Sequence, residues 1–105
     1  MNKILSYNVI VSERARQMLI EHVRFVAQKD PKAARKTKSE LLKAMRSLSA
    51  MPERCPYFIA EYIPANKYHR LYVERNYIVL YQIKEQTVNV EYIVDCRQNY
   101  SWLLR

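Results

Sequence analysis

Tyr68-His-Arg-Leu-Tyr-Val73, Tyr77-Ile-Val-Leu-Tyr-Gln-Ile-Lys84 and Thr87-Val-Asn-Val-Glu-Tyr-Ile-Val94 are three closely spaced runs rich in β-branched and aromatic residues. A breaker separates each run from the next, so the stretch predicts an antiparallel meander. Asn76 is expected in the first turn because asparagine tolerates positive φ. In the last run Val88, Val90, Tyr92 and Val94 are expected on one face and Thr87, Asn89 and Glu91 on the other, giving one core face and one wet face. Cations at the strand ends, Arg70, Arg75 and Arg97, would make this sheet a rigid basic surface.

Upstream, Lys3 to Val11 alternates loosely and predicts a first strand. Ser12 is placed to cap a helix, with Glu13 in its first turn. Ala15, Met18, Leu19, His22 and Val26 recur at helical spacing as far as about Gln28, with His22 a packing residue beside the stripe. Asp30-Pro31 then caps and opens a second helix. Its stripe is Ala34, Leu41, Met45 and Leu48, flanked by Leu42, and Pro52 marks its end. The Lys29/Asp30 corner is short enough to force an antiparallel helical hairpin. From Met51 to Lys67, three prolines and the aromatics Tyr57, Phe58 and Tyr62 predict an irregular connection packed on the sheet. The sum is an α+β domain over residues 1–105: an N-terminal strand, a helical hairpin, and a three-stranded meander, in one small sheet with helices on one face.

Composition bounds the chemistry. With 18 Lys and Arg against 10 Asp and Glu, the net charge of +8 favours polyanionic partners. Eight of the cations (Lys29, Lys32, Arg35, Lys36, Lys38, Lys43, Arg46 and Arg54) lie between Lys29 and Arg54, against three acids there. Such a face is either simply solvated or anion-binding. Glycine is absent, which excludes a Walker loop, a dinucleotide-binding turn and a nucleophile elbow. Cys55 and Cys96 form no C-x-x-C, and His22 and His69 have no partner at ligand spacing, so neither a metal nor any other cofactor is expected. Nothing orients Cys96 and His69 as a nucleophilic pair. The start of the chain lacks the apolar run of a signal peptide, and no stretch reaches the ~20 apolar residues of a membrane span, so a cytoplasmic protein is expected.

The residues are more specific than the pattern. Met51-Pro52-Glu53-Arg54-x-Pro56, Arg70-x-Leu-x-Val, Tyr77-x-Val-x-Tyr81-x-Ile and Asp95-x-Arg97-Gln98, in that order, resemble the RelE/ParE superfamily of type II toxin–antitoxin toxins, also called plasmid-stabilisation proteins. The resemblance spans about residues 5 to 104. It implies a growth-inhibiting toxin encoded beside an acidic, amphipathic antitoxin that wraps and neutralises it, and it allows a toxin–antitoxin hetero-oligomer. It also implies one of two activities: cleavage of mRNA in the ribosomal A site, or inhibition of DNA gyrase without hydrolysis.

Two positions separate these. Where RelE-like nucleases carry a catalytic arginine this chain has Ile78, and where a YoeB-like segment carries histidine it has Asn99. Metal-free RNA cleavage needs a proton acceptor and donor as well as a charge stabiliser, and arginine fills only the last role. The resemblance is therefore closer to the ParE branch, with Arg70, Arg75, Arg97 and Tyr100 as target-binding candidates. The alternative is a ribosome-dependent endoribonuclease, an mRNA interferase with Arg70, Arg97, Tyr100 and His69 as a divergent site and Glu61 as a further proton-transfer candidate. A plain nucleic-acid-binding module is disfavoured because the aromatics fall in core phase and make no exposed stacking platform.

Overall fold

The computed structural model describes residues 6–61 and 63–97. Its elements are β1 (Asn8–Val11), α1 (Glu13–Ala27), α2 (Pro31–Arg46), β2 (His69–Val73), β3 (Tyr77–Lys84) and β4 (Thr87–Asp95), with single 3₁₀ turns at Ser47–Ser49 and Pro52–Arg54. The strands form one mixed sheet in the order β1-β4-β3-β2, with β1 parallel to β4 and the others antiparallel. Parallel pairing is open to β1 because the helical hairpin follows it as the long crossover such pairs require. The expected beginning of the first strand, Lys3 to Leu5, lies outside the described residues.

Both helices start as their sequences dictate. Ser12 Oγ accepts from the Ala15 N–H at 3.0 Å and Asp30 Oδ1 from the Ala33 N–H at 3.1 Å, caps that contribute about 1 kcal/mol each. Pro31 occupies the first turn of α2, where a missing N–H costs nothing. The second helix ends at Arg46, before Pro52, and hands over to the 3₁₀ turn. Ala15 and Leu19 of α1 and Ala34, Leu41 and Met45 of α2 are buried, with Leu48 just beyond. Most of these pack with Val79, Tyr81, Val88 and Val90 into the main core.

The other face of the sheet is not wet. Phe58, Tyr68, Ile78, Leu80 and Val94 form a second buried cluster, flanked by Ala60 and Ile63 of the 51–67 segment. That segment is irregular and packed on the sheet, as its prolines and aromatics predict; Tyr62 lies outside the described residues. Tyr57 bridges to His69 on the outer edge of β2, and Phe58 N–H donates to the Tyr68 carbonyl at 2.6 Å. The connection thereby covers part of an edge strand as well as a face.

Two expectations within the meander are corrected. Leu80 pairs with Tyr92 while Tyr81 pairs with Val90, so Glu91 is an extra residue and β4 carries a bulge. The bulge reverses the alternation: Val88, Val90 and Ile93 face the helices, whereas Tyr92 and Val94 face the second cluster. Ser12 holds this point, its N–H donating to the Val90 carbonyl at 3.0 Å and its hydroxyl reaching the Glu91 carbonyl at 3.4 Å. In the β2–β3 turn it is Glu74 (φ 53°) and Arg75 (φ 67°) that are left-handed, not Asn76. Asn76 donates its N–H to the Glu74 carbonyl at 2.7 Å and accepts from the Cys96 N–H at 2.6 Å, which ties the turn to the end of β4.

Candidate functional site

The motif after α2 is a structural latch. Arg54 Nη1 donates to the Ala50 carbonyl at 2.8 Å and the Met51 carbonyl at 3.2 Å, and Nη2 donates to Ser47 Oγ at 2.9 Å. A single guanidinium thereby satisfies the carbonyls left over at the helix end. Pro52 is fully buried and its carbonyl accepts from the Tyr81 hydroxyl at 2.7 Å. Burial, chiefly, pushes the Tyr81 phenol far above its ordinary range, so it serves as a fixed donor. Glu53 accepts from the Tyr7 hydroxyl at 2.7 Å, and that bond is the main reason its carboxyl lies below the usual range. These residues bind helix, sheet and β1 together rather than facing a target.

The cations named from the sequence divide among three places. Along β2, His69, Leu71 and Val73 share the helix side, while Arg70 and Tyr72 point the other way, opposite Leu80 and Ile78. Arg70 Cζ lies 5.5 Å from the Tyr72 ring centroid, and its Nε is buried without a hydrogen-bond partner. Tyr72 is 55% exposed, so an orphaned guanidinium donor lies beside an exposed aromatic ring. Arg75 projects from the left-handed turn and is exposed.

Arg97 follows β4 and grips Asp95 with both branches, Nε to Oδ1 at 2.9 Å and Nη2 to Oδ2 at 2.8 Å, while its own N–H donates to Oδ1 at 2.9 Å. Burial would raise the Asp95 carboxyl, but the bonds from Arg97 outweigh it and hold the group below the usual carboxylate range. Arg97 Cζ also sits 6.0 Å from the Tyr77 ring centroid. Tyr77 meets His22 at 5.2 Å, and His22 Nε2 is 2.7 Å from the Ile93 carbonyl. Sequence reading had not joined Tyr77 and His22 to Arg97. The cross-strand register Tyr77↔Asp95 does so; counting on from the Lys84/Thr87 turn leads instead to Val94, because the bulge at Glu91 shifts the pairing by one residue.

His69 is walled in, its ring 4.3 Å from that of Tyr57 and 5.2 Å from that of Tyr81, with Nδ1 2.8 Å from the Cys55 carbonyl. It therefore lies on the opposite face of β2 from Arg70. Arg97 belongs to the other end of the β2–β3–β4 meander from His69, since Asp95 pairs with Tyr77 while His69 pairs with Tyr81. Glu61 is exposed in the connection. Tyr100 and Asn99 lie outside the described residues. Ile78, 2% exposed, is packed among Phe58, Tyr68, Leu80 and Val94.

A further surface lies on the hairpin. A groove of about 340 Å³ is lined by Leu19, Ile20, Val23, Arg24 and Lys38, and a second of about 350 Å³ by Leu42 with Arg35, Lys38 and Arg46. Phe25, 56% exposed, and Ile20 lie on the same helix α1. These are apolar floors with cationic rims.

The strand, helical hairpin and meander define a small basic α+β domain with one mixed sheet. Residues 9–100 match the family described as "ParE toxin of type II toxin-antitoxin system, parDE", and the chain belongs to that family. Among solved structures, the chain is similar to one described as the chromosomal ParDE TA system from P. aeruginosa, with a TM-score of 0.73 over 88% of this chain and 98% of that one. Identity there is 13%, so the likeness is one of fold. A comparison with curated protein sequences gave no match.

Proposed function

We propose that this ParE-family chain arrests bacterial growth by binding DNA gyrase, without breaking bonds itself, and that an acidic, amphipathic antitoxin neutralises it in the cytoplasm. The observation that carries the binding reading is Ile78. Its side chain is sealed in the second cluster, at the position where the nuclease branch needs a catalytic arginine. Among the described nuclease candidates, Arg70 and His69 occupy opposite faces of β2 and Arg97 is engaged by Asp95. General acid or base groups contribute typically ~10²–10⁴-fold each, and the described candidates Arg70, His69 and Arg97 are not gathered to supply them. The antitoxin proposal is supported by the apolar, cation-rimmed grooves of the hairpin, which fit a partner helix with an apolar stripe and acidic flanks.

Purified protein is expected to inhibit gyrase supercoiling, or to stabilise cleaved gyrase–DNA complexes, while mRNA on programmed ribosomes stays intact. Expression alone is expected to arrest growth, and co-expression of the neighbouring small gene to restore it. Rapid A-site cleavage by the wild-type chain would overturn the binding reading. Normal growth at verified soluble levels would overturn the toxin reading.

A further inference from the structure

At the end of the meander away from Arg97, β3 runs on past the start of β2. The last residues paired between them are His69 and Tyr81, so Ile83, two residues further along β3, has no ladder partner on that side. A cavity of about 140 Å³ opens there, lined by Tyr57, Lys67, His69, Gln82, Ile83 and Lys84 together with Asn66. Its lining includes two lysines and no carboxylate. Drug-sized ligands occupy pockets of roughly 300–1,000 Å³, so this one suits only a compact ion or a single substituent.

His69 gives the cavity its chemistry. The residue is 8% exposed, clamped between Tyr57 and Tyr81, and its Nδ1 faces the Cys55 carbonyl. A carbonyl only accepts, so Nδ1 carries the proton and Nε2 is the nitrogen left over. Among the described residues Nδ1 is the ring nitrogen that finds a hydrogen-bond partner. When the ring is protonated, Nε2–H becomes a donor held in place by two stacked aromatic rings. Alternation along β3 turns the unpaired Ile83 N–H toward the same side. Lys84 adds a charge, and Lys67, whose ammonium rests 5.4 Å from the Tyr68 ring centroid, can exchange that weak contact for a full negative charge.

We propose that this cavity is a binding site for a phosphate-type oxyanion, either the free ion or a terminal phosphate ester. Lys84 and Lys67 supply charge, Ile83 supplies a backbone donor, and His69 binds the anion through Nε2 as it takes up a proton. Lys67 and Lys84 line the cavity with the ring, and the Glu53 carboxylate interacts electrostatically with it.

The test is an amide and imidazole NMR titration of the labelled full chain with inorganic phosphate, with sodium chloride at matched ionic strength as control. Saturable shifts centred on the His69 ring, the Ile83 amide and Lys84 are expected. Lys67→Gln/Lys84→Gln is expected to weaken binding about tenfold or more, while Lys29→Gln, at the α1–α2 corner, leaves it unchanged. A 5′-phosphorylated dinucleotide binding tighter than phosphate, with the 5′-hydroxyl dinucleotide inert, identifies an ester as the ligand; equal affinity identifies the free ion. Unsaturated shifts spread over all the cationic residues would overturn the site. So would full affinity in the Lys67→Gln/Lys84→Gln variant, or His69 ring signals unmoved by phosphate.

Discussion

The two faces of the sheet are both buried but are built differently. The helix side is closed by regular elements, and Leu41, Leu48, Val79, Val88 and Val90 have no exposure at all. The opposite side is closed by an irregular connection, with Phe58 and Tyr68 each 8% exposed at its margin and Tyr72, Ile59 and the unpartnered Arg70 Nε beside it. The difference assigns roles. A rigid two-helix cover carries stability, while a cover made by 51–67 leaves room for polar groups whose bonding is incomplete, the state in which a partner has something to gain.

Leu→Ala substitution on each face tests this division at fixed chemistry. Leu41→Ala is expected to cost about 4–5 kcal/mol and Leu80→Ala about 2–3 kcal/mol, because the penalty depends on how far the surroundings collapse into the cavity, and an irregular cover yields more than a packed helix pair. Both residues are fully buried, so exposure does not confound the comparison. Denaturant midpoints measure it. Equal losses would show that the connection is as stiff as the hairpin.

Arg97 comes next in size. Arg97→Ala removes two of the three bonds that Asp95 accepts but keeps the backbone one, and the Arg97 side chain is 56% exposed, so a loss of about 1–2 kcal/mol is expected. The pH dependence sharpens this. In the wild type the folded Asp95 lies below its unfolded value of about 3.9, so its contribution is fully present above that pH and disappears as pH falls through the lower folded value. Without the guanidinium, burial dominates and the folded value rises. The variant should therefore lose its acid resistance at higher pH than the wild type. Coincident acid unfolding curves would show that Arg97 is free to serve a target.

Arg70→Ala should do the reverse. It deletes a buried donor that bonds to nothing, so a change within about 0.5 kcal/mol is expected, while growth arrest weakens. A large fall in melting temperature would make Arg70 structural and remove it from the binding surface.

How much of this was legible depends on the kind of signal. The cap residues Ser12 and Asp30, the buried stripe of α2 and the limits of β3 follow from local rules that the fold obeys. The phase of β4 beyond Val90 did not. A bulge leaves no mark in hydrophobic alternation when both faces are apolar, and here the residues on either side of Glu91 are apolar or aromatic in both phases. The second core was hidden for the same reason, since the aromatics covering it belong to an aperiodic segment. At the candidate site, residue types were readable but pairing was not. Asp95 grips Arg97 from two residues away, a contact adjacent in sequence, whereas the buried Arg70 Nε without a hydrogen-bond partner depends on the cover of the second face, which periodicity does not show.

The smallest expected effect tests the join between the two faces. Where the chain leaves the helices for the second cover, Met51 adopts φ 47° and ψ 56° with 70% of its surface exposed. A left-handed non-glycine residue costs roughly 1 kcal/mol or more. Here the neighbouring carbonyls bonded by Arg54 and the buried Pro52 hold it in place. Met51→Gly removes that strain but frees the unfolded chain, a penalty of about 0.5–1 kcal/mol. The net gain should therefore be no more than about 0.5 kcal/mol, read as a small rise in melting temperature. A loss exceeding 1 kcal/mol would mean that the Met51 side chain itself stiffens the turn. The irregular cover would then be ordered by its own contacts rather than by the latch at Arg54 and Pro52.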